Sequence, residues 1–313
     1  MKFFRYLEYM FKMPLKIHKI YDEVRDLRQV LNTLISAQMM ANIHNPNVIL
    51  ELQRSSSNKP RRIYNLSNAL KYLSLVNPVR SPSLELIRIG GFRDGGYCLH
   101  CPPPVKNILP KVLSLGVSEN SPFDLEMANR GYEVLEYDGS IDASPYPYHP
   151  SIKFFKKFVG GVDSENTISL KSILIQHHFD TNVHNILQCD IEDAEWEMLE
   201  NIEIEVLAKY FSQMIFEFHH CEPDDEKLSI RRWEILSKIR EYFTPIHTHF
   251  NHSWGLLFAE NLFFAPLIEV SYLRKDLVPN DAILQKGTAT LPHIDCPNNP
   301  YYADIPVYFN EKL

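Results

Sequence analysis

The chain is short of glycine, with 11 in 313 residues, and motifs that need clustered glycines are missing. No G-x-G-x-x-G follows an apolar run. In that fingerprint the second and third glycines admit a pyrophosphate and let the helix pack tightly, so their absence argues against NAD or FAD. No G-x-x-x-x-G-K-[ST] is present, which excludes a nucleoside-triphosphate loop of that kind. The absence of a G-x-S-x-G elbow disfavours a Ser-His-Asp hydrolase. Cysteine is scarce as well. Five cysteines, an odd number without regular spacing, fit a reducing compartment better than a disulfide framework. The lone C-x-x-C, Cys98 to Cys101, has no second ligand pair at zinc spacing. Basic charge is not in excess. A net charge of −7 argues against general nucleic-acid affinity. No apolar run approaches the ~18 to 20 residues of a membrane span. Arg5, Glu8 and Lys12 interrupt what would be the core of a secretory signal.

What is present centres on Lys111 to Ser140. Val112, Leu113 and Leu115 form an apolar run of strand length. Gly116 ends it, and Ser118 to Ser121 is turn chemistry. Ser121 suits an N-cap, and Pro122 the first helical position. Gly131 stands where a left-handed C-terminal cap is wanted. Val134 to Tyr137 then forms a second strand that ends on Asp138. A strand, a glycine turn at a helix start, and an acid closing the next strand about 20 residues on make the βαβ nucleotide-site pattern.

Upstream, residues 1–20 carry Phe3, Phe4, Leu7, Met10 and Phe11 at helical spacing among five basic side chains. Such a segment can lie on an anionic membrane surface or pack on protein. Ile17, Ile20, Val24, Leu27, Leu31 and Leu34 follow at heptad spacing, which predicts a homo-oligomer through residues 15–38. The expected divisions are residues 1–53 for this amphipathic and coiled-coil extension, 54–63 for a linker and 64–313 for the main domain.

Downstream, strands are expected over residues 84–89, 152–159, 185–190, 214–219, 246–250 and 268–273. Helices are expected over 169–177, 192–199 and 229–242. The alternation means a largely parallel α/β sheet. The last two strands lack a helical crossover, which predicts an antiparallel pair. The Pro- and Asn-rich tail from Pro292 to Phe309 is expected to wrap the surface.

Ligands in such sheets bind beyond the carboxyl ends of the strands. Asp190, Glu217 and His219 collect there as candidate catalytic groups. His247, His249 and Asn251 share a strand face as candidate substrate contacts. Asp138 is the expected ribose ligand, with Gly116, Ser118 and Gly139 beside it. The Asp94-Gly95-Gly96-Tyr97 turn is expected as a lid or floor of the same site. No metal is assigned, although Asp190, Glu217 and two histidines are chemically able to bind one. S-adenosylmethionine has no pyrophosphate. It needs a looser turn and an acid for its ribose, and residues 111–140 supply both.

The stretches RIGGFRDGGYCL, VLSLGVSENSPFDLEMANRGYEVLEYDGS, TISLKSIL, NILQCDIEDAEWEML and QMIFEFHH together resemble the FkbM-like class I methyltransferases. PIHTHFNHS, PLIEVSYLRKD and CPNNPYYADIPVYF extend the likeness to roughly residues 80–310. Asp190 to Trp196 is its most specific part. The resemblance implies a Rossmann-like methyltransferase sheet with a reversed final hairpin and S-adenosylmethionine as donor. It also implies O-methylation, commonly of sugars or natural products. Gly116 and Asp138 would bind the donor, and Asp190 would border methyl transfer. Asp193 departs from the family, which often has glycine there. From these readings the expected protein O-methylates a hydroxyl of a sugar, surface glycan or glycan precursor. It would be cytoplasmic, with peripheral contact to the inner membrane face. The rival readings are a scaffold that has lost catalysis and an NAD-dependent nucleotide-sugar enzyme. The missing glycines and the lack of a Tyr-x-x-x-Lys pair count against the latter.

Overall fold

The computed structural model describes residues 60–100, 103, 108–259, 262–298 and 304–309. The expected amphipathic segment, the heptad helix and most of the linker lie outside the described residues. Helix α1 (Leu66–Val76) begins on Asn65, whose side chain accepts from the Asn68 amide. The glycine-rich stretch turns a hairpin between β1 (Leu86–Ile89) and β2 (Tyr97–His100), as the Asp94-Gly95 pair predicts.

The βαβ unit forms as expected, with β3 (Lys111–Leu115), α2 (Pro122–Asn129) and β4 (Glu133–Tyr137). Gly116 has a φ of +80°, and Gly131, just past α2, has +94°. The Ser121 hydroxyl does not cap a backbone amide. It donates to Asp124 at 2.6 Å. The chain continues through β5 (Ile152–Phe155), α3 (Leu170–His177), β6 (Ile186–Cys189), α4 (Ala194–Glu200) and α5 (Ile204–Tyr210). Strand β7 (Gln213–Phe218), helix α6 (Glu226–Tyr242) and strands β8 (Phe243–Phe250) and β9 (Ile268–Arg274) follow.

These strands make one seven-stranded sheet in the order β8-β9-β7-β6-β3-β4-β5. The five strands from β7 to β5 pair in parallel, while β9 runs antiparallel to both β7 and β8. This is the Rossmann-like sheet with a reversed last strand. Alternating strand residues go to opposite faces. Val112, Val134, Ile186 and Ile215 pack with α2 and the β1–β2 hairpin. Leu113, Leu135, Leu187 and Met214 pack with α1 and α3–α6 on the other face. Apolar side chains on both faces are what a central parallel sheet requires.

Four expectations need correction. The strand over residues 152–159 is two: β5 ends at Phe155, and Phe158–Gly160 pairs separately with Thr167–Ser169. Lys156 and Lys157, with polar heads that favour solvent, separate the two pieces. The helix expected from Glu192 starts at Ala194, because Glu192 and Asp193 take left-handed backbone with φ of 54° and 84°. Helix α5 is an addition. The described parts of the tail do not simply wrap the surface. Asp295, Cys296, Asn298, Asp304, Ile305, Val307 and Phe309 are all buried.

Candidate functional site

Gly116 joins β3 to the turn that leads into α2, and the Asp190 carbonyl crosses directly above it. A Cβ on Gly116 would lie 1.7 Å from that carbonyl oxygen. The glycine therefore serves both a positive φ and a close backbone approach. Beyond the strand ends is a cavity of about 390 Å³, lined by Gly116, Asp138, Gly139, Phe158, Val159 and Asp190 among others. It sits where the chain order reverses on either side of β3, the ligand position of open α/β sheets. Phe158 is 52% exposed and forms an apolar wall. A Cβ on Gly139 would come within 2.5 Å of its ring.

Asp138 accepts four hydrogen bonds. One oxygen takes the Val117 and Ser118 amides at 2.9 and 2.8 Å. The other takes the Ser140 amide and hydroxyl at 2.7 and 2.6 Å. Burial raises its pKa, but these bonds, led by the Ser140 hydroxyl, outweigh burial and hold the carboxyl below its usual value. A carboxylate offers about four lone-pair positions, so protein donors already fill those of Asp138.

Asp190 lies between this cavity and a second group of polar side chains. Its carboxyl and that of Glu217 are hydrogen-bond partners. Both are pushed upward, first by burial. For Glu217 the charges of Asp190 and Glu269 add to the rise. Asn251 Nδ2 donates to Glu217 Oε1 at 2.6 Å. His219 Nδ1 lies 3.1 Å from Glu195 Oε1, and its Nε2 lies 3.6 Å from Asp190 and 3.5 Å from Glu192. Burial lowers the His219 pKa, but hydrogen bonding and charge from Glu195, then Asp190 and Glu192, raise it overall. A raised pKa favours the protonated ring, which has no lone pair left to take a proton, and this leaves Asp190 as the group able to receive one.

The Asp94 turn reaches this second group rather than the far end of the cavity. Asp94 Oδ1 accepts from Asn298 at 2.9 Å. Gly95 packs on Pro122 at the start of α2. Tyr97 is buried, and its hydroxyl receives Gln188 Nε2 at 3.2 Å. The structure thus brings Asp94, Asp190, Glu217, His219 and Asn251 together, with Gly116, Ser118, Asp138 and Gly139 around the adjoining cavity.

His247 and His249 are held differently from the other expected groups. His247 Nε2 meets Asp295 at 2.8 Å, and His249 bridges Glu269 at 3.1 Å and Asp304 at 2.9 Å. Both rings are buried. Burial opposes a charge on His249, but the Asp304 and Glu269 carboxylates outweigh it and push its pKa well up. Sequence reasoning missed Phe158, Glu269, Asp295, Asn298 and Asp304. Glu269, an acid inside the apolar run IEVSYL, was the one signal that pointed to a polar partner.

No family model matches the chain. Among curated proteins it is similar to "Probable methyltransferase-like protein 24" of Rattus norvegicus. The two are 29% identical over 178 residues, covering 49% of this chain and 47% of that protein. The protein of the same name from Homo sapiens is 28% identical over 178 residues, covering 51% and 48%. The chain spans about half the length of the curated relatives it matches. A solved TehB-like SAM-dependent methyltransferase from Corynebacterium glutamicum is 12% identical, covering 54% of this chain and 83% of that one. Its TM-score is 0.29, too slight a likeness to carry weight.

Proposed function

We propose that this chain is an S-adenosylmethionine-dependent O-methyltransferase acting on a hydroxyl of a sugar, surface glycan or glycan precursor. The observation that carries the reading is the cavity of about 390 Å³ at the switch point of the sheet, joined through Asp190 to a group of acids and amides. Its size suits a nucleoside-like ligand. Its Phe158 and Val159 wall suits a purine, and the glycine turn suits a donor without pyrophosphate. The sequence similarity to methyltransferase-like proteins agrees. The finer likeness to the FkbM-like group rests on Asp190 to Trp196.

When bound, the donor supplies a methyl group on a sulfonium, and the acceptor oxygen takes it. The chain's part is to hold both reactants and manage one proton. Asp190 stands at the junction of the two spaces and receives the hydroxyl proton. Glu217 and Asn251 orient the acceptor, and the exposed Asp94 carboxylate offers a further acceptor for a neighbouring hydroxyl. Holding both reactants at near-attack distance supplies a large part of the rate gain. In the same reading the N-terminal heptads form an oligomer, and residues 1–20 meet the inner membrane face in the cytoplasm. An unchanged size and soluble fraction after removal of residues 1–50 would reject that part.

The saturated carboxylate of Asp138 favours a second reading, a binding protein that keeps the fold without the donor. Calorimetry on the full chain separates the two. Methyl transfer predicts saturable binding of one S-adenosylhomocysteine per chain and none of NAD. Absence of S-adenosylhomocysteine binding favours the second reading, and binding of NAD alone overturns both.

A further inference from the structure

The buried histidines differ in how they meet their acids. His247 Nε2 reaches Asp295 at 2.8 Å, and His249 Nε2 reaches Asp304 at 2.9 Å. These are the separations of closed, charge-assisted hydrogen bonds. His219 Nε2 instead stands 3.6 Å from Asp190 Oδ1 and 3.5 Å from Glu192 Oε2, beyond the range of a good hydrogen bond to either.

The other side of the His219 ring is fixed. One oxygen of the fully buried Glu195 takes the His219 backbone amide at 2.8 Å and lies 3.1 Å from Nδ1. A carboxylate on one ring nitrogen is the usual support of a metal-binding histidine. It sets the tautomer and makes the other nitrogen a better ligand. His219 is only 1% exposed. Its Nε2 is thus a buried polar atom without a hydrogen bond, aimed at two carboxylate oxygens that can only accept.

The spacing suits a metal ion better than a proton. Two ligands of one tetrahedral zinc ion, each about 2.0–2.2 Å from the metal, stand about 3.4 Å apart. Asp190, Glu192 and His219 each offer one atom within 4.8 Å of the others. Among the described residues no lysine or arginine pairs with Asp190 or Glu192, and the neighbouring Arg232 goes to Asp193. The Glu192 side chain is 72% exposed, which gives the group an open side. Asp190 and Glu192 also line the cavity beyond the strand ends.

We infer that Asp190, Glu192 and His219 hold a divalent transition-metal ion of the zinc class, with Glu195 as the support of the histidine. One imidazole and two carboxylates suit that class better than Mg²⁺ or Ca²⁺, and three protein ligands leave a position open. The metal takes the place of a proton on Nε2, so binding releases one. The inference goes beyond the sequence reading, which assigned no metal. Its catalytic meaning rests on the methyl-transfer reading. There the open position would hold the acceptor oxygen and make its hydroxyl more acidic. The proton would pass to the second oxygen of Asp190, and the acceptor oxygen would take the methyl as the carbon–sulfur bond breaks. Binding of the metal itself does not depend on that reading.

The test uses the full chain, stripped with a chelator and titrated with CoCl₂, with the visible absorption of bound Co²⁺ as the readout and ZnCl₂ as competitor. One Co²⁺ per chain is expected, displaced by Zn²⁺. Glu192→Gln, on the exposed side, should weaken Co²⁺ binding roughly tenfold or more without lowering the thermal midpoint. His219→Gln should weaken it at least as much. Glu195→Gln, which touches only the far ring nitrogen, should cost roughly tenfold. His293→Gln, at an exposed histidine away from the group, should leave binding unchanged. The inference is overturned if no saturable site appears below about 1 mM Co²⁺, or if binding survives both Glu192→Gln and His219→Gln. Near-ultraviolet thiolate-to-cobalt bands would place the metal on cysteine and overturn it as well. Absence of the Co²⁺ site with S-adenosylhomocysteine binding intact removes the metal alone. The reverse result removes the methyl-transfer reading and keeps the metal.

Discussion

Asp193 stands in left-handed backbone, with φ of 84°, and its carboxylate receives Arg232 Nη2 at 2.8 Å. Arg232 is buried, lies 4.9 Å over the Trp196 ring, and has Nε and Nη1 without hydrogen-bond partners among the described residues. This accounts for the departure from glycine noted in the sequence. A non-glycine residue in this conformation costs about 1–2 kcal/mol, and Asp193 offsets part of that by pairing a buried cation.

Two substitutions separate these effects. Asp193→Gly removes the strain and the ion pair together, whereas Asp193→Ala removes only the ion pair. Asp193→Ala should therefore be less stable than Asp193→Gly by about 1 kcal/mol, and both should be read by urea denaturation. Equal stabilities would show that the left-handed backbone is not what limits this position.

Glu136 and Asp124 form a second buried carboxyl pair, between β4 and α2. Glu136 lies beside the Asp124 carboxyl and the Ser144 hydroxyl, and Asp124 takes the hydroxyls of Ser114 and Ser121. Burial first, and then the Asp124 charge, push Glu136 up to about 8. A folded-state pKa above the unfolded value means that the contribution is full below the unfolded value. It is then lost as pH rises through the folded one. Stability should thus fall between about pH 4.5 and 8. Glu136→Gln should flatten that fall and raise the urea midpoint at pH 8 relative to the parent chain. Asp190 and Glu217, also pushed upward, leave a residual slope of the same sign. An unaltered pH profile in Glu136→Gln would mean that the pair is not protonated in the folded state.

The fold was legible where local chemistry and tertiary context agree. The unit from β3 to β4 announced itself through an apolar run, Pro122, Gly131 and the terminal Asp138, each acting within a few residues. The antiparallel end of the sheet followed from the missing crossover between β8 and β9. The tail was misread because Asp295, Asn298 and Asp304 are polar and lie among prolines. A polar residue is buried where partners satisfy it, and the partners His247, His249, Asp94 and Glu269 lie 29 or more positions away. Composition cannot report such pairing. Glu217 and His219 were legible from strand alternation alone. Phe158 was hidden because its strand was merged with β5.

Asp138 offers a test of two roles in one carboxylate. Removing it should lower the thermal midpoint, because the Val117 and Ser118 amides and the Ser140 amide and hydroxyl all lose their acceptor. Asp138→Ala should also lower S-adenosylhomocysteine affinity strongly. Ser140→Ala should instead free one acceptor position and leave that affinity equal or higher, with a stability loss of about 1 kcal/mol. If Ser140→Ala weakens binding as much as Asp138→Ala, the carboxylate acts by shaping the turn and does not contact the ribose.

Phe158 gives the cleanest separation of binding from folding. The ring is half exposed at the cavity wall, and Gly139 leaves it room. Because little of its surface is removed from water, Phe158→Ala should shift the thermal midpoint by only a degree or so. In the donor reading the ring covers a purine face, an arrangement worth about 1–3 kcal/mol per base. Calorimetry should then show S-adenosylhomocysteine affinity falling roughly tenfold or more. Phe158→Tyr keeps the face and should bind like the parent chain. Affinity preserved in Phe158→Ala would place the purine elsewhere along the strand ends and leave this wall without a part in donor binding.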